Sequence, residues 1–282
     1  MSTNNYRIPY VEAIPDISDD VWFQVPKPVA QPRLRLFCFN YAGGNASAYR
    51  DWYQQLPSDV EVCSIQLPGR GARFKESAYT NLNALLDALE SAMSPYLGVS
   101  YAFFGHSMGA QVAYELARRL RDNGFAEPDY LFVSGRRAPQ LPATRKPIHG
   151  LPEDQFLEEI RRLNGTPDEA LNNPELMELV SPILRADCQV IETWDYRPSE
   201  LLAMPVIALG GAKDSNVAIN ELEDWSKVTN NHFEMRLFSG DHFYLHSSKD
   251  SLLSCIAGVL NKALDCSGKL FSRSVRKVAR NA

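Results

Sequence analysis

One pattern recurs along this chain: a short apolar run, then a stretch with apolar positions at helical spacing. The runs fall at 34–39, 60–65, 101–104, 130–133, 206–209 and 233–238, and amphipathic stretches such as 82–93 and 112–120 lie between most of them. The runs are nearly continuous in apolar character, not alternating, so both faces of each strand must be covered. Strands of that kind, alternating with helices, specify an α/β fold: a mostly parallel sheet with helices on both faces. With 282 residues, 45% of them hydrophobic and 22% charged, the chain can bury one α/β core carrying an insertion, or two small domains.

The rhythm breaks between about 141 and 197, where no strand is expected. Helix starts stand at Pro152-Glu153-Asp154 and Pro174-Glu175. One apolar stripe follows at Phe156, Leu157, Ile160 and Leu163, and another at Leu176, Val180, Ile183 and Leu184. An all-helical insertion in a parallel α/β domain lies over the C-terminal edge of the sheet, where ligands bind, and is read here as a lid. The expected divisions are an extended, proline-spaced lead-in at 1–32, a core at 33–140 and 198–264, the lid at 141–197, and a basic tail at 265–282. The tail is read as solvated; a helix docking on a partner or membrane surface is the other reading.

The formal net charge of −5 argues against nucleic acid as the main partner, because phosphate binding needs a concentrated positive field. No apolar run approaches the roughly 20 residues of a membrane span. Met1-Ser2-Thr3-Asn4-Asn5 begins no apolar signal region, so a cytoplasmic location is expected. Cys38, Cys63, Cys188, Cys255 and Cys266 show no paired spacing, which suits small buried hydrophobes better than disulfides or zinc.

The sharpest signal is Gly105-His106-Ser107-Met108-Gly109, between the run ending at Phe104 and the helical stretch opening at Gln111. A serine between two glycines at a strand-to-helix turn is a nucleophile-elbow arrangement. The glycines admit strained dihedrals and close strand approach, and the serine oxygen stands clear of the sheet at a helix N-terminus. A serine hydroxyl needs a base, itself oriented by a carboxylate. In α/β-hydrolase folds these follow in the order Ser, Asp/Glu, His, each at a strand end. His242, in Ser239-Gly240-Asp241-His242-Phe243, follows the run 233–238 and is the expected base. His149 lies in the insertion, and His232 precedes its strand at the wrong end. His246 follows His242 by four residues, but without the glutamate of a zinc-binding His-Glu-x-x-His. No metal site is expected. For the acid, Asp214 in Gly210-Gly211-Ala212-Lys213-Asp214 lies just past the run 206–209. Asp241 is the main competitor, while Asp187 and Asp195 fall in the insertion and read as solvated.

An oxyanion hole takes two backbone N–H groups, usually one from the residue after the nucleophile and one from the loop after an early strand. Met108 supplies the first, and Asn40-Tyr41-Ala42-Gly43-Gly44 points to Ala42 for the second. Each donor typically contributes about 3 kcal/mol to transition-state stabilisation. Neither this loop nor Pro68-Gly69-Arg70-Gly71 fits a phosphate-binding Gly-x-x-x-x-Gly-Lys pattern, which argues against nucleotide binding.

Together these residues closely resemble the type II thioesterases that accompany modular polyketide and nonribosomal peptide synthetases. The resemblance runs from about Trp22 to Leu260. It rests on Phe37-Cys38-Phe39-Asn40-Tyr41-Ala42-Gly43-Gly44, Gln66-Leu67-Pro68-Gly69-Arg70, the serine motif, Ser134-Gly135-Arg136, Leu163-Asn164-Gly165-Thr166-Pro167, Leu184-Arg185-Ala186-Asp187, Gly211-Ala212-Lys213-Asp214 and Gly240-Asp241-His242-Phe243. Asn40 departs from the proline more usual in that family. The resemblance implies an α/β-hydrolase fold, a Ser107–His242–Asp214 triad, oxyanion donors at Ala42 and Met108, and no cofactor of the enzyme's own. It implies a stand-alone, monomeric editing enzyme that clears acyl groups from the phosphopantetheine of acyl carrier and peptidyl carrier protein domains. Because such carriers are usually acidic, a positive patch near the lid mouth is expected among Arg70, Arg73, Lys75, Arg136, Arg137, Arg145 and Lys146. Two other readings stay open. One is a thioesterase releasing a single full-length product; the other is a non-catalytic relative that binds an acyl ligand or partner protein.

Overall fold

The structure, a computed structural model, describes residues 14–163 and 171–279, with side chains described as far as residue 265. Its strands are β1 (Phe23–Gln24), β2 (Leu34–Phe39), β3 (Val60–Ile65), β4 (Tyr101–His106), β5 (Tyr130–Ser134), β6 (Val206–Gly211) and β7 (Phe233–Phe238). Its α-helices are α1 (Leu82–Met93), α2 (Met108–Asp122), α3 (Glu153–Leu163), α4 (Pro174–Glu192), α5 (Ile219–Glu223), α6 (Tyr244–Ser247) and α7 (Lys249–Ala279).

The strands form one sheet in the order β1-β3-β2-β4-β5-β6-β7. All neighbours pair in parallel except β1, which runs antiparallel to β3 with Phe23 opposite Ile65. The apolar runs are continuous because successive side chains enter different cores. From β2, Phe37 and Phe39 pack with Leu85, Leu89 and Ala113 of α1 and α2. Leu36 and Cys38, on the opposite face, pack with Leu253, Ile256 and Leu260 of α7. Fully burying one such side chain contributes roughly 1.5–3 kcal/mol, so each strand is held from both sides.

The lead-in is more than an extended arm. Within its described part Ile17 is fully buried, and Phe23 both pairs with β3 and packs on Phe37. At the other end, α7 continues as far as Ala279, so the segment set apart as a tail prolongs a core helix.

The insertion carries α3 and α4 around a small core of its own, with Phe156, Ile160, Leu171, Met177, Leu184 and Cys188. The stripe expected on α4 is off by one residue at its start: Leu176 is exposed and Met177 faces inward. Asn173 caps the helix by accepting the Leu176 N–H at 3.1 Å, and this fixes the phase that turns Met177, Ser181, Leu184 and Cys188 inward. Residues 164–167 of the Leu163–Pro167 motif lie outside the described residues.

Candidate active site

The site is built along the C-terminal edge of the central strands. β4 ends at His106 and α2 begins at Met108, leaving Ser107 alone in the turn, at φ 53° and ψ −112°. It is the one described non-glycine residue with positive φ, a conformation costing on the order of 1–3 kcal/mol that the surroundings must impose. They impose it through backbone contact. A Cβ at Gly105 would meet the Gly109 carbonyl oxygen at 2.2 Å, and one at Gly109 would meet that of Phe39 at 2.1 Å. The Ser107 N–H donates to the Ser134 carbonyl at 2.8 Å, pinning the turn to β5.

Asp214 and His242 come from the ends of β6 and β7. Their loops interlock: the Ala212 N–H donates to the Phe238 carbonyl at 2.8 Å and the Lys213 N–H to the Gly240 carbonyl at 2.9 Å. Gly211 passes so near that a Cβ would lie 2.1 Å from the Asp241 carbonyl oxygen. Across this junction His242 Nδ1 donates to Asp214 Oδ2 at 2.7 Å. Both side chains are buried, at 10% and 2% exposure. The second Asp214 oxygen accepts the Asn216 N–H at 2.7 Å. With Nδ1 committed to the carboxylate, Nε2 is the nitrogen left to exchange a proton. The His242 ring lies 5.1 Å, centroid to centroid, from His106, the residue preceding Ser107. No hydrogen bond closes onto the Ser107 hydroxyl among the described residues. Asp241 is exposed, and its Oδ1 accepts the Phe243 N–H at 2.9 Å within its own turn.

The loop after β2 is held on several sides. Buried Asn40 donates from Nδ2 to the Ile65 carbonyl at 2.7 Å, so a side-chain bond ties the start of this loop to the end of β3. The Gly44 N–H donates to the Tyr41 carbonyl at 2.9 Å. The Gly43 N–H, at φ +74°, donates to Asp187 Oδ2 at 2.8 Å. The amides of Ala42 and Met108, the two donors expected from the sequence, make no hydrogen bond among the described residues.

Asp187 corrects the expectation that it is solvated. It is 2% exposed, and its two oxygens take Arg70 Nη1 and Nη2, each at 2.7 Å. Arg70 also donates to the Gly44 carbonyl at 3.1 Å. Leu184, one turn earlier on α4, packs against Gly43. The insertion is therefore keyed to the loop that offers Ala42. Both motifs stood out in the sequence, but nothing in either said that they pair.

The proposed basic patch also changes. Arg70 and Arg73 are buried, and Arg73 pairs with Glu76 while covering Trp22. Arg136 turns to Gln111, and Arg137 pairs with Glu221 at 3.0 Å. Lys75, Arg145 and Lys146 remain exposed. Of the other histidines, His149 binds Glu192 inside the insertion at 2.7 Å, and exposed His232 sits at the far end of β7 beside Glu234. His246 meets the Tyr41 hydroxyl at 3.2 Å.

The thioesterase domain family matches residues 34–260. Gramicidin S biosynthesis protein GrsT of Aneurinibacillus migulanus is 41% identical over 243 residues, 86% of this chain and 95% of that protein. A protein named linear gramicidin dehydrogenase LgrE, from Brevibacillus parabrevis, is 42% identical over 88% of this chain and 95% of its own length. In this chain the turn after β2 reads Asn40-Tyr41-Ala42-Gly43-Gly44-Asn45, without the Gly-x-Gly-x-x-Gly of a dinucleotide site. Among solved structures, the type II thioesterase BorB from the borrelidin biosynthetic cluster superposes with a TM-score of 0.77 at 34% identity, covering 85% of this chain and 97% of BorB.

Proposed function

The chain belongs to the thioesterase family, whose members are hydrolases, and from that premise we propose that it clears acyl groups from the phosphopantetheine of carrier proteins. It would serve as a stand-alone editor beside a polyketide or nonribosomal peptide synthetase; BorB is named for the borrelidin biosynthetic cluster and GrsT for gramicidin S biosynthesis. The observation that carries the mechanism is the His242–Asp214 pair, whose imidazole packs on His106, the residue immediately before the strained Ser107 elbow.

In this reading His242 Nε2 takes the proton as Ser107 Oγ attacks the thioester carbonyl. The resulting oxyanion accepts the N–H groups of Ala42 and Met108. The C–S bond breaks, the pantetheine thiol leaves with that proton, and an acyl-serine remains. Water, deprotonated by His242, attacks the ester, and the proton returns to Ser107 as the acid departs. Asp214 holds the ring and stabilises the imidazolium at each stage. No cofactor enters these steps, since the phosphopantetheine arrives on the carrier. Selectivity for chain length is shallow, because each buried methylene is worth only about 0.8 kcal/mol.

The test is intact-mass spectrometry of an acetyl-loaded carrier protein incubated with the wild-type enzyme and with Ser107→Ala. Return to the unloaded mass with wild type, slowed by on the order of 10⁴–10⁶ in the variant, supports editing. Retention of acetyl by both, with rapid hydrolysis of one long acyl chain, replaces the editor with a product-releasing enzyme.

A further inference from the structure

His106 is fully buried immediately before Ser107 and takes no part in the steps above. Backbone packs one side of its ring: a Cβ at Gly135 (φ +57°) would lie 2.6 Å from His106 Cε1. Four rings surround it, with centroids at 5.1 Å for His242, 5.8 Å for Tyr41, 5.8 Å for Phe243 and 6.0 Å for Tyr244.

The two ring nitrogens differ. Nδ1 lies 2.8 Å from Ser134 Oγ, and that oxygen lies 2.5 Å from the Tyr244 hydroxyl. Nε2 is buried with no hydrogen-bond partner among the described residues. Burial, with His242 and His246 nearby, holds the imidazole well below its ordinary range, so His106 is neutral and carries one N–H. Ser134 Oγ stands between the two groups, hydrogen-bonded to Nδ1 on one side and to the Tyr244 hydroxyl on the other, so a continuous chain links the His106 ring to Tyr244. The chain therefore ends on Tyr244, two residues past His242, whose ring also packs on His106.

We propose that His106, with Ser134 and Tyr244, forms a positioning unit that fixes the His242 ring relative to Ser107. The proposal rests on the reading of Ser107 and His242 as nucleophile and base. β4 delivers the nucleophile, and its last residue also grips the loop that carries the base, so both reacting groups refer to one rigid strand end. A cationic residue at 106 could not serve, because it would oppose the imidazolium that forms when Ser107 gives up its proton. An apolar ring would keep the packing but leave the buried Ser134 hydroxyl without its partner at Nδ1.

Tyr244→Phe and Ser134→Ala each remove one hydroxyl and leave the carbon framework in place. They are compared with wild type, Ser107→Ala and His242→Ala on a small acyl-pantetheine thioester, together with the low-field proton resonance of the His242–Asp214 hydrogen bond. The expected result is a kcat lower by about 10- to 100-fold, an unchanged KM, a shifted or broadened resonance, and a double variant no worse than the poorer single one. A folded Tyr244→Phe with wild-type kcat and an unmoved resonance overturns the proposal, and this variant decides alone if Ser134→Ala does not fold. Full turnover by Ser107→Ala or His242→Ala would instead remove the triad reading beneath it.

Discussion

Two buried arginine–carboxylate pairs sit at opposite edges of the sheet and do different work with the same bonds. At the N-terminal edge, Arg35 on β2 meets Glu61 on β3 at 2.8 Å. Arg35 also donates to the carbonyls of Tyr96 and Pro15, at 3.1 and 2.6 Å. Glu61 accepts the Val29 N–H at 2.9 Å. At the C-terminal edge, Arg70 and Asp187 add the Gly44 carbonyl and the Gly43 N–H. The first pair stitches the lead-in to two strands already bonded to each other. The second joins the helical insertion to the loop beside Ser107, which otherwise belong to separate cores. A buried pair adds little net stability over apolar residues of the same shape, but breaking one strands a charge. What each pair specifies is where a peripheral segment sits.

If that contrast is right, Arg35→Met should be the most damaging of these changes. It leaves the Glu61 carboxylate buried and unpaired, at a cost of about 3–5 kcal/mol, read as a lower urea midpoint for the whole molecule with activity per folded molecule unchanged. A specific loss of activity at intact stability would break the comparison. Asp187→Ala should cost about 3 kcal/mol but locally, as faster hydrogen exchange and proteolysis within 141–197 while the sheet amides stay protected. Turnover per folded molecule should fall by no more than about tenfold, since the Ala42 and Met108 donors remain. Equal acceleration of the sheet amides would make it a core pair like the other.

Acidification probes the buried histidine. Burial depresses His106 below 6.5, so the unfolded chain takes up a proton that the folded chain refuses. The contribution of His106 to stability is therefore level above about pH 6.5 and declines below it by up to about 1.4 kcal/mol per pH unit. His106→Phe should flatten that limb in a urea series run against pH; an unchanged slope would assign it to other groups. The smallest effect is expected at His149→Gln, which loses one bond to Glu192. About 1 kcal/mol, confined to proteolysis of the insertion, sharpens the idea that the insertion is secured at more than one point.

The strands were legible because each is buried on both faces and so carries an unbroken apolar signal. β4 and β6 run on beyond that signal because Gly105-His106 and Gly210-Gly211 still pair with their neighbours. Ser107, Asp214 and His242 were legible as candidates because each follows a strand and is flanked by glycine. Partnerships were not. Arg70 and Asp187 stand 117 residues apart, and local pattern says nothing about which distant side chain a buried charge meets. The direction of a long side chain was equally hidden, so arginines expected at a mouth proved to be folded inward. His106 gave no sign at all, since the residue between Gly105 and Ser107 is unconstrained by the turn itself.

The order of the sheet carries a consequence for aggregation. β7, one rim, bears Glu234 and Arg236, charges that discourage pairing with a foreign strand. Among the described residues the other rim is formed by the two-residue strand Phe23–Gln24, and behind it lies β3, buried along its whole length. Trimming the chain past Gln24 would turn that sticky inner strand into an open template. Such a shortened protein should come out of solution at concentrations the full chain tolerates, well before its catalytic edge is disturbed.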